Sequence, residues 1–250
     1  MYRSWIPKPN KPGQMRAITQ PNKTDIIVMD ALSHLLNIIF EDLFLSQYHG
    51  FRKGRGPITF FIQIRSWNRV DKLMKSDIVK SFDNIDHGLL IYIFQSHLGE
   101  ENASFCDLIS AFLKTQILDK KGNDYSNYMK GIPQGSSLSP VLMNIFMHQL
   151  DMNLHYFMQT EESLGYARYA DDMIFAINNE LDSEGVYLKF RNYFQKALND
   201  LKLSETSIEL VRSQPRKTRV WGLVVSISSK GILEIRAPLN DGRRNSLWNT

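Results

Sequence analysis

Residues 167–177 read ARYADDMIFAI and place two adjacent aspartates, Asp171 and Asp172, between apolar runs. These runs predict two short strands joined by a hairpin turn that carries both carboxylates. Adjacent carboxylates in a partly buried turn are costly, because each loses hydration and repels the other. A bound divalent cation is the usual physical reason to tolerate them.

A third carboxylate, Asp77, lies upstream in the segment LMKSDIV at residues 73–79. This segment predicts a strand with Asp77 near its end. Taken singly, each aspartate is more often a cap or a turn residue. Taken together, Asp77, Asp171 and Asp172 predict a site for two Mg²⁺ ions, because Mg²⁺ prefers oxygen ligands and completes its shell with water and substrate phosphates. Two such ions can activate a hydroxyl nucleophile and stabilise a leaving pyrophosphate.

Two further motifs lie between these carboxylates in the chain. Phe82 follows Asp77 closely, where an aromatic ring can press on the sugar of an incoming nucleotide and reject a 2′-hydroxyl. The alternative for Phe82 is an ordinary core residue. The segment GIPQGS at residues 131–136 opens a loop ahead of a predicted long helix, and its glycines let the backbone approach a base or sugar. In isolation this segment is equally typical of a turn that enters a helix.

Cationic side chains occur in two N-terminal segments. Lys8 and Arg16 lie in a predicted hairpin, where they could hold a triphosphate, and Arg offers a bidentate fork for phosphate. Arg52, Lys53 and Arg55 lie in a glycine-rich loop and are candidates for contact with a nucleic-acid backbone. In both segments, solvated surface charge is the alternative interpretation.

The composition limits the class of protein. A chain of 250 residues with 43% hydrophobic content can bury a sizeable core, and its net charge of +4 mildly favours a polyanionic partner. The single cysteine, Cys106, excludes an internal disulfide or a multi-cysteine zinc site, and its apolar surroundings predict a buried thiol. No apolar run approaches the roughly 20 residues that span a bilayer, so we expect a soluble protein with no membrane partner.

Local patterns predict an α+β fold, in which a sheet with helices on one face is the simplest packing. Residues 1–24, rich in Pro, Lys and Asn, predict an extended or hairpin segment. Helices are predicted over residues 25–46 with Asp25 as the N-cap, 58–70, 86–97, 102–117, 139–158 and 184–201. Strands are predicted over 70–79, on both sides of Asp171, and near 207–212, 219–228 and 231–235, with a further hairpin at 119–130.

In this order the motifs resemble group II intron-encoded reverse transcriptases, also called maturases, and most closely those of plant mitochondrial genomes. The segments that carry the resemblance are residues 6–9 (IPKP), 16–19 (RAIT), 25–28 (DIIV), 49–55 (HGFRKGR), 77–87, 131–144, 169–172 and 220–224 (VWGLV). The resemblance implies a right-hand polymerase whose palm is an antiparallel sheet with helices packed on one face. It also implies partial fingers at 1–70, a palm at 71–237, and a tail or thumb start at 238–250, with the thumb largely absent.

The positions of the motifs imply roles for single residues. These roles are metal ligation by Asp77 and Asp171 with help from Asp172, sugar selection by Phe82, contact with the nascent base pair by Gln134 and Gly135, and contact with the triphosphate by Lys8 and Arg16. The chain departs from the family at Glu205, where Lys is frequent, and at Trp221, where Leu is usual. The missing Lys is a candidate proton donor to pyrophosphate, so slower turnover is expected.

The resemblance implies an RNA-directed DNA polymerase, linked to intron splicing or mobility. Its partners would be an RNA template, a DNA primer, deoxynucleoside triphosphates and group II intron RNA. One alternative is a catalytically idle RNA-binding maturase remnant that assists splicing. A second alternative is an RNA-directed RNA polymerase, against which Phe82 and Ala170 both argue. The resemblance also implies a mitochondrial location, with the chain encoded in the organelle.

Overall fold

The computed structural model describes residues 1–8, 13–161, 164–178, 182–212 and 217–237. Within them the strands are β1 (Tyr2–Pro7), β2 (Met15–Gln20), β3 (Lys72–Ile78), β4 (Leu118–Asp119), β5 (Leu164–Tyr169), β6 (Asp172–Ile177), β7 (Glu205–Arg212), β8 (Lys217–Val220), β9 (Leu223–Ile227) and β10 (Leu233–Arg236). The helices are α1 (Lys23–Phe40), α2 (Pro57–Arg65), α3 (Ser81–Asn84), α4 (His87–Leu98), α5 (Ala103–Leu113), α6 (Ser139–Thr160) and α7 (Ser183–Asp200). The predicted tail at 238–250 and the side chain of Glu205 lie outside the described residues, and the division into fingers and palm stays a prediction.

A four-stranded antiparallel sheet, here called the central sheet, has the strand order β5-β6-β3-β7. Its middle strands are β3 and β6, and their register pairs Ser76 with Met173. The next residue of β3, Asp77, is therefore brought to the end of the sheet where the turn between β5 and β6 carries Asp171 and Asp172. The topology thus brings Asp77 to the adjacent pair Asp171 and Asp172, which lies far from it in the sequence.

Both faces of the central sheet are covered, which explains the continuous apolar run of β6. Successive side chains of a strand point to opposite faces. Accordingly Met173, Phe175 and Ile177 join the larger core with α6 and α7, whereas Ile174 and Ala176 join a smaller core. Helix α2 and a second sheet, of order β10-β9-β8, build the smaller core. The predicted α+β class is confirmed, and this second layer is an addition to it.

Several boundaries differ from the sequence-based prediction because local hydrogen bonds end or start the elements. Helix α1 is capped by Asn22, whose side chain accepts a hydrogen bond from the Asp25 N–H at 2.8 Å, so Asp25 is not the N-cap. The segment predicted as one strand at 219–228 is divided by a turn at Trp221 and Gly222, both with positive φ. The predicted hairpin at 119–130 is confirmed in a shorter form, because Leu118 and Asp124 form an antiparallel bridge and the Tyr125 N–H donates to the Ile117 carbonyl at 2.8 Å. Its first strand, β4, also pairs in parallel with β1.

One smaller expectation is also confirmed. Cys106 is buried in α5, as its apolar neighbours predicted. Among the helices of the described ranges, none is both long and apolar enough to cross a bilayer.

Candidate active site

The turn between β5 and β6 presents two carboxylates at the end of the central sheet. Ala170 has a φ of +55°, a left-handed conformation that reverses the chain sharply before Asp171. Asp171 and Asp172 are half-buried, whereas Asp77 at the end of β3 is exposed. The predicted positions of these aspartates, in a hairpin turn and at a strand end, are therefore confirmed.

The three carboxylates influence one another electrostatically. Loss of hydration, then the charge of Asp171, then that of Asp172, raise the pKa of Asp77 to about 6. Loss of hydration also raises the pKa of Asp172, against a hydrogen bond from Trp221 and the nearby Lys75. Both shifts have the sign expected for carboxylates that share one partly dehydrated site.

The donor set of this site fits Mg²⁺. Across the described ranges, no group of three or more His, Cys, Asp or Glu side chains is arranged to hold a metal ion by itself. Magnesium does not require such a cage, because it is commonly bound by one or two carboxylates together with water and substrate phosphates. A cation between Asp77 and Asp171 would also offset the repulsion that raises the pKa of Asp77.

Two neighbours that the sequence-based reasoning did not select hold the carboxylates. The Ser81 hydroxyl donates a hydrogen bond to Asp171 Oδ2 at 2.5 Å, and Trp221 Nε1–H donates one to Asp172 Oδ2 at 2.8 Å. Ser81 reaches Asp171 because Lys80, with a φ of +45°, turns the chain immediately after β3. The proximity of Ser81 to Asp77 in the sequence was a usable signal, whereas nothing local connects Trp221 with Asp172.

A buried ion pair lies beneath the Asp171–Asp172 turn. Arg168 and Asp151 are fully buried, and the Arg168 guanidinium contacts the carboxylate through Nη2 and through Nε, the latter at 2.7 Å. Arg168 Nη1 also donates to the Ala170 carbonyl at 2.8 Å, and the Tyr166 hydroxyl donates to Asp151 at 2.6 Å. Arg168 of β5 therefore holds the backbone of the turn at Ala170, and Asp151 of α6 holds Arg168 in place.

The segment before the basic loop packs directly on the same turn. The His49 N–H donates to the Arg168 carbonyl at 2.8 Å, and the Arg168 N–H donates to the Gln47 carbonyl at 2.8 Å. At Gly50 there is no room for a side chain, because an added Cβ would lie 2.5 Å from the Ala170 nitrogen. The backbone of Gly50 therefore limits where the Asp171–Asp172 turn can lie.

Replacing Gly50 with alanine is expected to displace the turn and to slow, at least about tenfold, any reaction that depends on Asp171 and Asp172, since small misplacements of reacting groups are costly. The matched control is Gly56→Ala, because an added Cβ at Gly56 meets no atom within 4 Å. Initial rates of that reaction for the two variants provide the measurement. Equal rates for Gly50→Ala and the control would contradict the proposed role of this contact.

The loop at residues 131–136 is fixed on both sides. The Ile132 N–H donates to the Phe82 carbonyl at 2.7 Å, and the Thr19 N–H donates to the Gln134 carbonyl at 2.6 Å. Gly135 has a φ of +114°, and an added Cβ would lie 2.8 Å from the Thr19 carbonyl oxygen. Phe82, Gln134 and Gly135 are thus parts of one connected surface, and Phe82 is half-buried against the larger core.

The N-terminal hairpin carries the cations predicted to hold a triphosphate. Strand β2 contacts the loop at Gln134 through Thr19, and Arg16 lies exposed on the same strand. Lys8 is half-buried at the turn end of the hairpin, near Arg16, which pairs with Ile6, and the Lys8 N–H donates to the Gln14 carbonyl at 2.8 Å. Contact of either side chain with a triphosphate stays a prediction.

The basic loop separates into one enclosed arginine and two accessible cations. Arg52 is buried, pairs with Glu41 at 2.8 Å, and donates to the carbonyls of Leu45 and Tyr48 at 2.8 and 2.9 Å. This geometry does not fit the predicted phosphate contact for Arg52, because its donors are already used inside the protein. Lys53 is exposed and Arg55 is half-buried, so these two keep the predicted role.

Comparisons with known proteins agree with this arrangement. A telomerase from Candida albicans, solved in complex with a fragment of telomeric RNA, superposes with a TM-score of 0.71 over 98% of this chain and 46% of the telomerase chain, at 12% identity. A telomerase from Candida tropicalis gives a TM-score of 0.67 over 94% of this chain and 54% of the other. The fold defined by these neighbours is that of the right-hand polymerases, as predicted.

Residues 6–224 match the family described as reverse transcriptase (RNA-dependent DNA polymerase), and the chain belongs to this family. The group II intron-encoded protein LtrA of Lactococcus lactis is 35% identical over 150 residues, which are 60% of this chain and 24% of LtrA. A putative COX1/OXI3 intron 2 protein of Saccharomyces cerevisiae is 33% identical over 63% of this chain and 18% of its own length. The resemblance to group II intron-encoded proteins is confirmed, and the chain spans about a quarter or less of the length of these relatives.

Proposed function

We propose that this chain is an RNA-directed DNA polymerase of the group II intron type, and that Asp77, Asp171 and Asp172 form its catalytic centre. The observation that carries the proposal is the convergence of these three carboxylates at one end of the central sheet, where loss of hydration and the charges of Asp171 and Asp172 raise the pKa of Asp77. Dehydrated, mutually repelling carboxylates are typical of a site that awaits a cation.

Asp77 and Asp171 would hold two Mg²⁺ ions, with help from Asp172. When bound, the ions would supply charge neutralisation for the attacking hydroxyl and the departing pyrophosphate. The residues of the chain would mainly position the reactants, which is the larger part of catalysis in reactions of this kind. Gln134 and Gly135 would approach the nascent base pair, while Arg16 and Lys8 would contact the triphosphate.

The contact between the loop at residues 131–136 and helix α3 supports a sugar-selecting role for Phe82. The Phe82 carbonyl accepts a hydrogen bond from the Ile132 N–H, which fixes the backbone, and the Phe82 side chain packs against the larger core. Phe82→Ala is expected to raise the use of ribonucleotides relative to deoxynucleotides by about tenfold or more, since the steric rejection is lost. Competition between the two nucleotide types in one extension reaction measures this ratio, and an unchanged ratio in a folded variant would assign Phe82 to the core alone.

The experiment that tests the proposed function is primer extension on an RNA template with deoxynucleotides and Mg²⁺. The wild-type chain should extend the primer, and Asp171→Asn should not. Asp83→Asn is the matched control, because Asp83 is an exposed aspartate of the neighbouring helix α3. A wild-type chain that is folded and supplied with Mg²⁺ but does not extend the primer would contradict the proposal.

A second candidate function is RNA binding that assists intron splicing without polymerisation. One relative is named nuclear intron maturase 4, mitochondrial, of Arabidopsis thaliana, and it is 23% identical over 189 residues. The exposed Lys53 and Arg16 and the positive net charge would serve this role as well, through contacts with phosphates. Binding of group II intron RNA that persists unchanged in Asp171→Asn would support it.

We also propose a mitochondrial location. Relatives in yeast and plants include an uncharacterized mitochondrial protein of Marchantia polymorpha, which is 27% identical over 150 residues. A coding sequence found only in a nuclear or bacterial genome would contradict an origin in the organelle.

A further inference from the structure

Trp221 occupies an unusual backbone position close to the candidate active site. It lies with Gly222 in the turn between β8 and β9, and its φ of +47° is rare for a large side chain. Residues held in such conformations persist only where the surrounding structure fixes them, and they occur often at functional sites.

Aromatic contacts on several sides hold the Trp221 ring. Its centroid lies 4.8 Å from that of Phe60, 5.6 Å from Phe61 and 4.6 Å from Tyr169. Tyr169 in turn pairs with Asp172 across the hairpin of β5 and β6. The indole is therefore immobilised directly beside the first residue of β6.

The immobilised indole directs its N–H at the carboxylate of Asp172, with a distance of 2.8 Å from Nε1 to Oδ2. An indole N–H can only donate, and hydrogen bonds to an ionised acceptor are among the stronger ones. A second link joins the same hairpin to the central sheet, because Lys75 Nζ donates to the Arg219 carbonyl at 3.3 Å. The β8–β9 hairpin thus determines where one Asp172 oxygen lies.

We propose that Trp221 is a positioning residue for cation binding, whose N–H holds the Asp172 carboxylate in one orientation beside Asp77 and Asp171. The inference rests on the proposed function for the identity of the cation site. A ring that only packed against Phe60, Phe61 and Tyr169 would leave cation affinity unchanged when its N–H is removed.

Trp221→Phe keeps an aromatic ring and removes the N–H. The first readout is the rise in melting temperature of the protein, without nucleic acid, as Mg²⁺ is added, since a cation that binds the folded state stabilises it. The concentration of Mg²⁺ that gives half of this rise should be about 10-fold higher in the variant, the loss typical when a partner of a metal ligand is removed. The Mg²⁺ concentration for half-maximal primer extension should rise by a similar factor.

Two further variants keep the test specific. Trp67→Phe is the matched control, because Trp67 packs in the same smaller core but contacts Gly165 at the opposite end of β5. If Trp221→Phe does not fold, benzothienylalanine at position 221 replaces the N–H with sulfur and keeps the bicyclic shape. Either variant is then compared with wild type by the same thermal titration.

The outcomes separate this inference from the proposed function. A higher Mg²⁺ requirement in Trp221→Phe, with Trp67→Phe unchanged, supports the positioning role even if the wild-type chain extends no primer. The same Mg²⁺ requirement in wild type and in the N–H-free variants overturns it. A wild-type chain that Mg²⁺ does not stabilise at all contradicts the cation site itself, and with it the role of Trp221.

Discussion

Asp151→Asn is expected to lower the free energy of unfolding by about 3–5 kcal/mol, the cost of removing one partner from a buried ion pair. Arg168 has no exposed surface, and its guanidinium pairs with a carboxylate that is 1% exposed. An arginine cannot shed its proton, so the variant would keep an uncompensated charge in the core at any ordinary pH. The Tyr166 hydroxyl would lose its charged acceptor as well.

Chemical denaturation at neutral pH measures this loss. Glu161→Gln is the matched control, since Glu161 pairs at 3.1 Å with a Lys189 side chain that is 62% exposed. Pairs of this kind contribute about 1 kcal/mol or less. If the two substitutions cost the same, the Arg168–Asp151 pair does not anchor the turn as described.

Asp77→Asn is expected to have opposite effects on activity and on stability. It should reduce primer extension about 10³-fold or more, because it removes a carboxylate from the proposed cation site and several kcal/mol of transition-state stabilisation with it. It should also stabilise the cation-free protein by about 1 kcal/mol or less, since Asp77 is exposed and solvent screens part of the repulsion.

The raised pKa of Asp77 also predicts how the stability of the protein depends on pH. The folded protein holds the Asp77 proton up to a pKa of about 6, above the ordinary aspartate pKa of 3.8, so it binds more protons than the unfolded chain between these values. The stability contributed by protonated Asp77 is therefore present below pH 4 and is lost as the pH rises to about 6. Denaturation of wild type and Asp77→Asn across this range should show the difference in the free energy of unfolding growing with pH, and a constant difference would contradict the raised pKa of Asp77.

The sequence was sufficient for those features that depend on local pattern and motif order. The apolar run after Asp172 predicted β6, because strand periodicity and turn chemistry act over a few residues. The order of Asp77, the loop at 131–136 and Asp171 carried the family resemblance, and that resemblance implied the right-hand polymerase fold. The N-cap of α1 is Asn22 and not the predicted Asp25. Asparagine and aspartate are both good N-caps, so only the geometry decides between them.

Contacts between distant segments could not be predicted in this way. Arg52 looked like a surface cation, but the carbonyls of residues 45 and 48 and the carboxylate of Glu41 enclose it. Trp221 and Asp172 meet only because the β8–β9 hairpin packs on the smaller core. A single sequence carries no local signal for such contacts, because they depend on tertiary packing.

The most direct test of the account is single-nucleotide incorporation against a defined RNA template base. A primer is annealed so that the next template position is A, C, G or U in turn, and each deoxynucleotide is offered alone with Mg²⁺. We expect wild type to add only the complementary deoxynucleotide at each template base and Asp171→Asn to add none. Addition that ignores the template base, or equal addition by wild type and Asp171→Asn, would contradict it.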